Sequence, residues 1–233
     1  MKKFFVVVLV ACMAVSAWAV DLPKQGFGFQ IGWAQPILRL NDTSNKDSLL
    51  NVTKLNGFKL GVVYDASFIA GFGSSIGINY TFGASSTKWT QKDISHSTRS
   101  NTLYNELEVF VDWQYKFEVA KETYLIVYTG PSIQCGVAFN KKTYVRDEAF
   151  GTIVETKKEL YTTDSADEVL KRVNVTWGIG AGFQYQRYFL RGGYEFGLIN
   201  PYKNEQFSGK DIYTRGRLDQ WSIKIGAYIW YKD

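Results

Sequence analysis

The chain has 233 residues, with 27 Lys or Arg against 22 Asp or Glu and a formal net charge of +5. One histidine and two cysteines are too few for the clustered ligands that zinc and thiol chemistry need, so we expect neither a metal site nor a cofactor. The modest positive excess, without a basic stripe carrying interleaved aromatic residues, gives no indication of nucleic-acid binding.

The first 19 residues have the features of a secretory signal peptide. Two lysines precede a long apolar run, and the small residues Ala17 and Ala19 predict cleavage after Ala19. An alternative interpretation takes Cys12 as the end of a lipoprotein processing box, although apolar sequence continues past it. The expected exported part, 20–233, has the length of a single domain.

The rest of the chain alternates apolar and polar residues in eight segments, as strands do. The clearest is NELEVFVDWQYKF at 105–117, with apolar residues at odd positions and acids and a lysine at even ones. About ten alternating residues are enough to cross a bilayer as a tilted strand. In chain order the segments begin near Phe27, Phe58, Phe72, Asn105, Leu125, Val173, Leu190 and Trp221.

Short and long connections alternate along the chain. The short ones are 65–67, 118–123 and 186–187, and the long polar ones are 35–53, 84–102, 140–171 and 200–216. This order predicts an all-β fold, an eight-stranded antiparallel up-and-down transmembrane β-barrel with both termini on the short-turn side. TYVRDEAFGTIVET in the third long connection could extend the strands or form an extra hairpin, which leaves ten strands as a second possibility.

The glycine-rich side of the strands is predicted to face inward. A soluble barrel such as a lipocalin has the opposite arrangement, with large apolar side chains inside. A lysine or arginine facing the bilayer midplane costs about 2 to 4 kcal/mol, and the outward positions, which include Phe139, Ile229 and Tyr231, contain none. The predicted lumen therefore holds a polar cluster of Lys59, Glu106, Glu108, Asp112, Lys116, Arg191, Glu195 and Lys224.

Three stretches carry a family resemblance. LYNELEVFVDWQYKF followed by YLIVYTGPSIQCGV, and later WGIGAGFQYQRYFLRGGYEFGL, resemble the paired strands of the outer-membrane protein β-barrel domain family, the porin or PorT-like family of small barrels common in Bacteroidetes-type bacteria. One departure is the absence of proline near Val109 and Phe110. The resemblance implies an eight-stranded barrel in the cell outer membrane, in a family whose individual roles are mostly undefined.

The end of the chain, KIGAYIWYKD, resembles the C-terminal signal by which the barrel assembly machinery recognises its substrates. The residues that carry this resemblance are Lys224, Gly226, Ile229 and Tyr231. Outer-membrane lipid or lipopolysaccharide and the assembly machinery are thus expected partners, together with an extracellular or periplasmic protein.

Three functions fit the predicted barrel. Eight strands enclose a space that side chains can fill, which favours a plugged anchor presenting four long loops for adhesion, interaction or a secretion-accessory role. A narrow porin-like channel is the alternative, with lumen charges exchanging partners. A lipid-modifying enzyme is the second alternative. The only histidine of the chain, His96, lies in a serine-rich loop, which does not hold a nucleophile and a base in fixed geometry. No catalytic residue is therefore assigned.

Overall fold

The computed structural model describes residues 25–40, 55–69, 71–91, 95–159, 161, 170–201, 205–207, 210–212 and 216–232. The predicted signal peptide with its cleavage site at Ala19 lies outside these residues. Within them, no helix has the length and apolar character needed to cross a membrane.

Eight strands form a closed wall. They are β1 (Gln25–Leu40), β2 (Asn56–Ile69), β3 (Phe72–Ser86), β5 (His96–Ala120), β6 (Thr123–Asp147), β8 (Val173–Tyr185), β9 (Tyr188–Gly197) and β12 (Gly216–Lys232). Four accessory strands are β4 (Thr90–Gln91), β7 (Ile153–Glu159), β10 (Glu205–Phe207) and β11 (Lys210–Ile212).

Each wall strand pairs antiparallel with its neighbours in the chain, in the order β1-β2-β3-β5-β6-β8-β9-β12. The first and last strands pair from Gln25 opposite Lys232 to Leu40 opposite Gly216, which closes the ring. Closure satisfies the backbone groups of every wall strand, as a bilayer requires. The predicted eight-stranded antiparallel up-and-down barrel is confirmed.

Tight turns join the strands at one end of the barrel. Gly71, in the turn between β2 and β3, has a φ of 88°, which glycine adopts without steric cost. The other two tight turns touch each other, because the Gln186 backbone N–H donates to the Glu122 carbonyl at 2.8 Å. The prediction of a turn at 65–67 is wrong, since β2 continues through these residues to Ile69.

Four strand segments project beyond the wall at the other end. The first residues of β5 pair with the last of β6, from His96 opposite Asp147 onward, and β6 pairs in turn with β7. We call β4, β7, 96–102 and 140–147 the projecting sheet. It corrects the prediction that 84–102 is a loop and shows that 143–156 forms the extra hairpin, outside the eight-stranded ring.

Large apolar side chains cover the outside of the wall. Ile223, Ile225 and Ile229 leave 54, 56 and 64 % of their surface exposed, whereas the alternating Ser222 and Lys224 are buried inside. Such a belt is unfavourable in water by roughly 25 cal/mol per Å² and is compatible with lipid. This arrangement is the reverse of a soluble lipocalin-like barrel.

Two β-bulges shift the alternation. Asn105 pairs with Ala138 and the next residue, Glu106, pairs with Gly136, so residue 137 has no partner on β5. The alternation of inward and outward side chains reverses beyond it, and Phe139 turns inward and is buried. The outward assignment of Phe139 is therefore wrong. A second bulge lies at residue 229, opposite Phe27 and Gly28, just beyond Tyr228, which faces inward with the same parity as Lys224. The side chain of Tyr231, beyond this bulge, lies outside the described part of the chain.

The filled lumen, a candidate functional site

The barrel interior contains all eight charged residues that the alternation assigns to the lumen. Seven of them are almost completely buried, and the Glu195 side chain is 12 % exposed. Seven of the eight form two separate networks and one pair of charges at a small cavity, and Glu106 lies at the mouth opposite the tight turns.

The turn-side network is centred on Asp65. Arg191 Nη2 donates to both oxygens of this carboxylate at 3.0 and 2.9 Å, and Lys116 Nζ donates to Oδ2 at 3.2 Å. The Tyr228 hydroxyl also donates to Oδ2. Arg191 reaches the Ser75 hydroxyl at 2.9 Å as well. One carboxylate thus pairs with two buried cations, and its loss would leave both without a carboxylate at ion-pair distance.

The central network is built on Lys59, which is fully buried. Its Nζ donates to Glu108 Oε2 at 2.5 Å and lies 3.7 Å from Glu195 Oε1. Asn79 donates to the second Glu108 oxygen at 2.8 Å, and Gln134 donates to Glu195 at 2.8 Å. Each ionised group therefore has a partner, which is the condition under which charges tolerate burial.

Asp112 and Lys224 are arranged differently. Both line a cavity of about 20 Å³, enough for about one water molecule. Within the described residues neither makes an ion pair at salt-bridge distance, and the Lys224 ammonium lies 4.9 Å from the centre of the Phe110 ring. These two charges depend on water or on longer-range interactions for their compensation.

An aromatic and aliphatic plug closes the mouth at the long-connection end. Tyr104 and Phe139 from the wall pack edge to face at 5.4 Å between ring centres. Tyr161, from the segment after β7, packs against Phe139 at 5.8 Å with the rings tilted by 49°. Burial raises the pKa of the Tyr161 phenol, so that it stays neutral. The plug leaves a cavity of about 20 Å³ beside Glu106, which accepts a hydrogen bond from the Tyr104 hydroxyl.

Inward glycines make room for inward aromatic rings. A Cβ on Gly180 would lie 2.2 Å from Tyr128 Cζ, and one on Gly136 would lie 2.3 Å from Tyr161 Cζ. The same relation holds for the pairs Gly26 with Tyr228, Gly77 with Phe110 and Gly226 with Phe189. The rings thus occupy the volume that the glycines leave free.

The variant Gly180→Ala is expected to lower the free energy of unfolding by about 1 to 3 kcal/mol, because the new methyl overlaps the buried Tyr128 ring. Gly178→Ala is the matched control on the same strand, since its nearest neighbour would be Glu195 Cγ at 3.5 Å. We expect it to be neutral or stabilising by up to about 1 kcal/mol. Denaturant unfolding of the refolded barrels measures both, and equal effects would contradict this packing.

Several lumen residues were absent from the sequence-based cluster. Asp65 shares the parity of Lys59 along β2 and would have been found by extending the alternation by three more pairs of residues. Tyr228 shares the parity of the inward Lys224 along β12 and lies before the bulge at 229, so continuing the alternation past Gly226 would have found it. The neutral partners Gln30, Ser75, Asn79, Gln114 and Gln134 are buried and carry polar groups that the charges require.

His96 lies at the start of β5 in the projecting sheet. Successive strand residues point to opposite faces, so the His96 ring and the Ser97 hydroxyl lie on different sides of the sheet. The Ser97 hydroxyl donates instead to Glu148. Asp93, the nearby acid, lies outside the described residues. This geometry does not place a histidine base on Ser97.

Comparison with known proteins gave matches among solved structures alone. No protein-family model matches the chain. No curated protein matches it.

Three of the similar structures are bacterial surface or barrel proteins. Ail, the attachment invasion locus protein of Yersinia pestis, solved with the heparin analogue sucrose octasulfate, is 12 % identical with a TM-score of 0.42, over 88 % of this chain and 99 % of Ail. Neisserial surface protein A is 13 % identical with a TM-score of 0.36, over 88 % and 97 %. The N-terminal β-barrel domain of Pseudomonas aeruginosa OprF is 9 % identical with a TM-score of 0.30, over 87 % and 98 %.

Proposed function

We propose that this protein is a small outer-membrane barrel that anchors a recognition surface outside the cell and has no catalytic role. The observation that carries the proposal is a filled wall from which the four-stranded projecting sheet extends at the end opposite the tight turns. Barrels of this kind place short turns in the periplasm and long connections outside. Cleavage after Ala19, assembly by the barrel machinery and membership of the PorT-like family are parts of the same proposal.

The tip of the projecting sheet has the character of a contact surface. Phe150 leaves 82 % of its surface exposed, and Ile153 and Val154 leave 56 and 62 %. The tip lies beyond the end of the wall, and the apolar belt is on the wall itself. Contact with lipid therefore does not explain the exposure of these side chains. Ile153 and Val154 point to opposite faces of β7, so the tip is apolar on both sides, and exposed apolar groups surrounded by charge mark protein-interaction sites. A protein partner outside the cell therefore fits this surface better than a soluble ligand.

Replacing residues 143–156 by Asn-Gly removes this tip and leaves the wall intact. Lys142 and Lys157 are direct cross-strand partners, so a two-residue turn can join them. We expect the shortened protein to fractionate with the outer membrane and to keep its heat-modifiable gel mobility, because the eight wall strands are unchanged. We expect cells carrying it to lose adherence to immobilised host-cell and matrix proteins, measured against cells with the full-length protein.

A matched control replaces 87–94, the connection on the other side of β5, by a glycine-serine linker of equal length. The adhesion or interaction role would be rejected if cells carrying the shortened protein adhered to every immobilised protein as well as wild type, with the control variant also adhering as wild type. A protein found soluble in the periplasm, with no heat-dependent shift, would reject the membrane-anchor proposal itself.

A narrow channel is the second candidate function. The small cavity shared by Asp112 and Lys224 favours it, because charges held by water can exchange partners more easily than charges held by direct ion pairs. The plug at the mouth and the two filled networks oppose it. Electrical recording distinguishes the two functions.

A further inference from the structure

A groove on the outer surface of the wall lies where the projecting sheet begins. It has a volume of about 650 Å³ and lies across β3, β5, β6 and β7. Its charged lining residues are Arg99, Lys142 and Lys157, with Leu103 at its lower edge. This groove is separate from the lumen networks, none of which shares a residue with it.

The groove has a surplus of positive charge. Lys142 and Lys157 lie directly opposite each other on β6 and β7, an arrangement that destabilises a sheet unless an anion is near. Arg99 Nη2 donates to the Ser86 hydroxyl at 3.1 Å, while its Nε is buried with no partner among the described residues. Glu155 forms an ion pair of 2.7 Å with Lys142 and neutralises only one of the three cations.

Another carboxylate, Glu159, lies opposite Asn140 at the lower edge and is not part of the groove lining. A contrast is provided on the far side of the barrel, where Arg39 and Arg217 both lie 2.8 Å from the buried carboxylate of Asp219. There one carboxylate serves two cations, whereas in the groove one carboxylate serves three. The groove thus carries the larger surplus of positive charge.

The groove begins where the apolar belt ends. Outward residues of β5 run from Val109 and Leu107, both exposed on the belt, to Leu103, and then to Arg99. Arg99 is four residues beyond Leu103, about 13 Å along the strand. A molecule in the groove would therefore have its polar part among the cations and its apolar part against the belt.

We propose that this groove binds the phosphate group of an outer-leaflet glycolipid of the lipid A type, whose acyl chains lie against the belt below Leu103. The inference rests on the proposed outer-membrane location. A guanidinium and two ammonium groups suit a phosphate, the first through paired hydrogen bonds and the others as point charges. Clusters of Lys and Arg next to a membrane bind phosphorylated headgroups in this way.

The test compares lipid retention in phosphatidylcholine nanodiscs doped with bisphosphorylated lipid A or with chemically dephosphorylated lipid A. Quantitative mass spectrometry measures the lipid that stays bound to the full-length barrel after transfer to excess phosphatidylcholine. We expect wild type to enrich the phosphorylated form, and the Arg99→Gln, Lys142→Gln, Lys157→Gln triple variant to lose that enrichment by about tenfold or more. The control triple variant Lys88→Gln, Lys121→Gln, Arg187→Gln removes the same charges from exposed positions outside the groove and should behave as wild type.

Equal retention of both lipids by wild type, or equal loss in both triple variants, would overturn the proposal. Displacement of lipid A by millimolar inorganic phosphate alone would assign the groove to free anions and overturn the lipid assignment. If the triple variant loses its heat-modifiable mobility, the single exposed change Lys157→Gln replaces it, with an expected loss of about threefold to fivefold. A protein that fractionates with the outer membrane but does not enrich phosphorylated lipid refutes this inference and leaves the anchor function intact.

Discussion

Replacing Asp65 with asparagine is expected to lower the free energy of unfolding by about 3 to 5 kcal/mol. The reason is that Arg191 and Lys116, both almost completely buried, share this one carboxylate. An asparagine keeps the size of the side chain but leaves two buried cations without a carboxylate at ion-pair distance. Guanidinium-induced unfolding of the barrel refolded in phosphatidylcholine vesicles, followed by tryptophan fluorescence, measures the loss.

Two further variants make this result specific. Glu118→Gln removes an exposed carboxylate at the turn end of β5 and should change stability by less than about 0.5 kcal/mol. The double variant Asp65→Asn with Arg191→Met should be less destabilised than the sum of its single changes, because the second change removes the uncompensated charge. An Asp65→Asn variant as stable as Glu118→Gln would show that the turn-side network does not stabilise the barrel.

Planar bilayers containing the purified protein are expected to show no steady single-channel steps. The two enclosed lumen cavities hold about one water molecule each, and the plug of Tyr104, Phe139 and Tyr161 closes the mouth. A wide porin reconstituted in the same lipid serves as the positive control for insertion. Wild-type currents that disappear on charge reversal of Asp112 would place ions in the lumen and favour the channel.

Currents that persist unchanged in the Asp112→Lys variant would have a different origin, such as defects at the barrel surface. Measurement at several salt concentrations separates these cases, because conduction past a fixed carboxylate depends on ionic strength. The absence of steps in wild type, with normal insertion shown by heat-modifiable mobility, is the result that the filled lumen predicts.

The number of wall strands, and which of their side chains face the lumen, were predictable because a barrel wall imposes a period of two on every strand. The stretch 105–117 follows it without interruption, with Glu106, Glu108 and Asp112 all buried. Asp65 was missed for a different reason. Acidic and small residues at 65–67 are typical of turns, and the tertiary pairing of Asp65 with Arg191 outweighs that local preference.

Bulges set the second limit on prediction. A bulge changes the parity of all later residues in its strand, and nothing in the residue types at 137 or 229 indicates one. Phe139 was therefore assigned to the wrong face, although it is central to closing the lumen. The projecting sheet was equally hard to predict, because His96–Asn101 is polar and reads as a loop when its partner on β6 is unknown.

Within the described residues β7 pairs only with β6. A strand edge of this kind can pair with the same edge of a second copy, and at the high density of a membrane surface such pairing would build extended ribbons. The sequence ETKKE along β7 carries a charge at four of its five positions, and two copies aligned in register would repel each other. The molecule can thus display an open strand at high density while remaining dispersed.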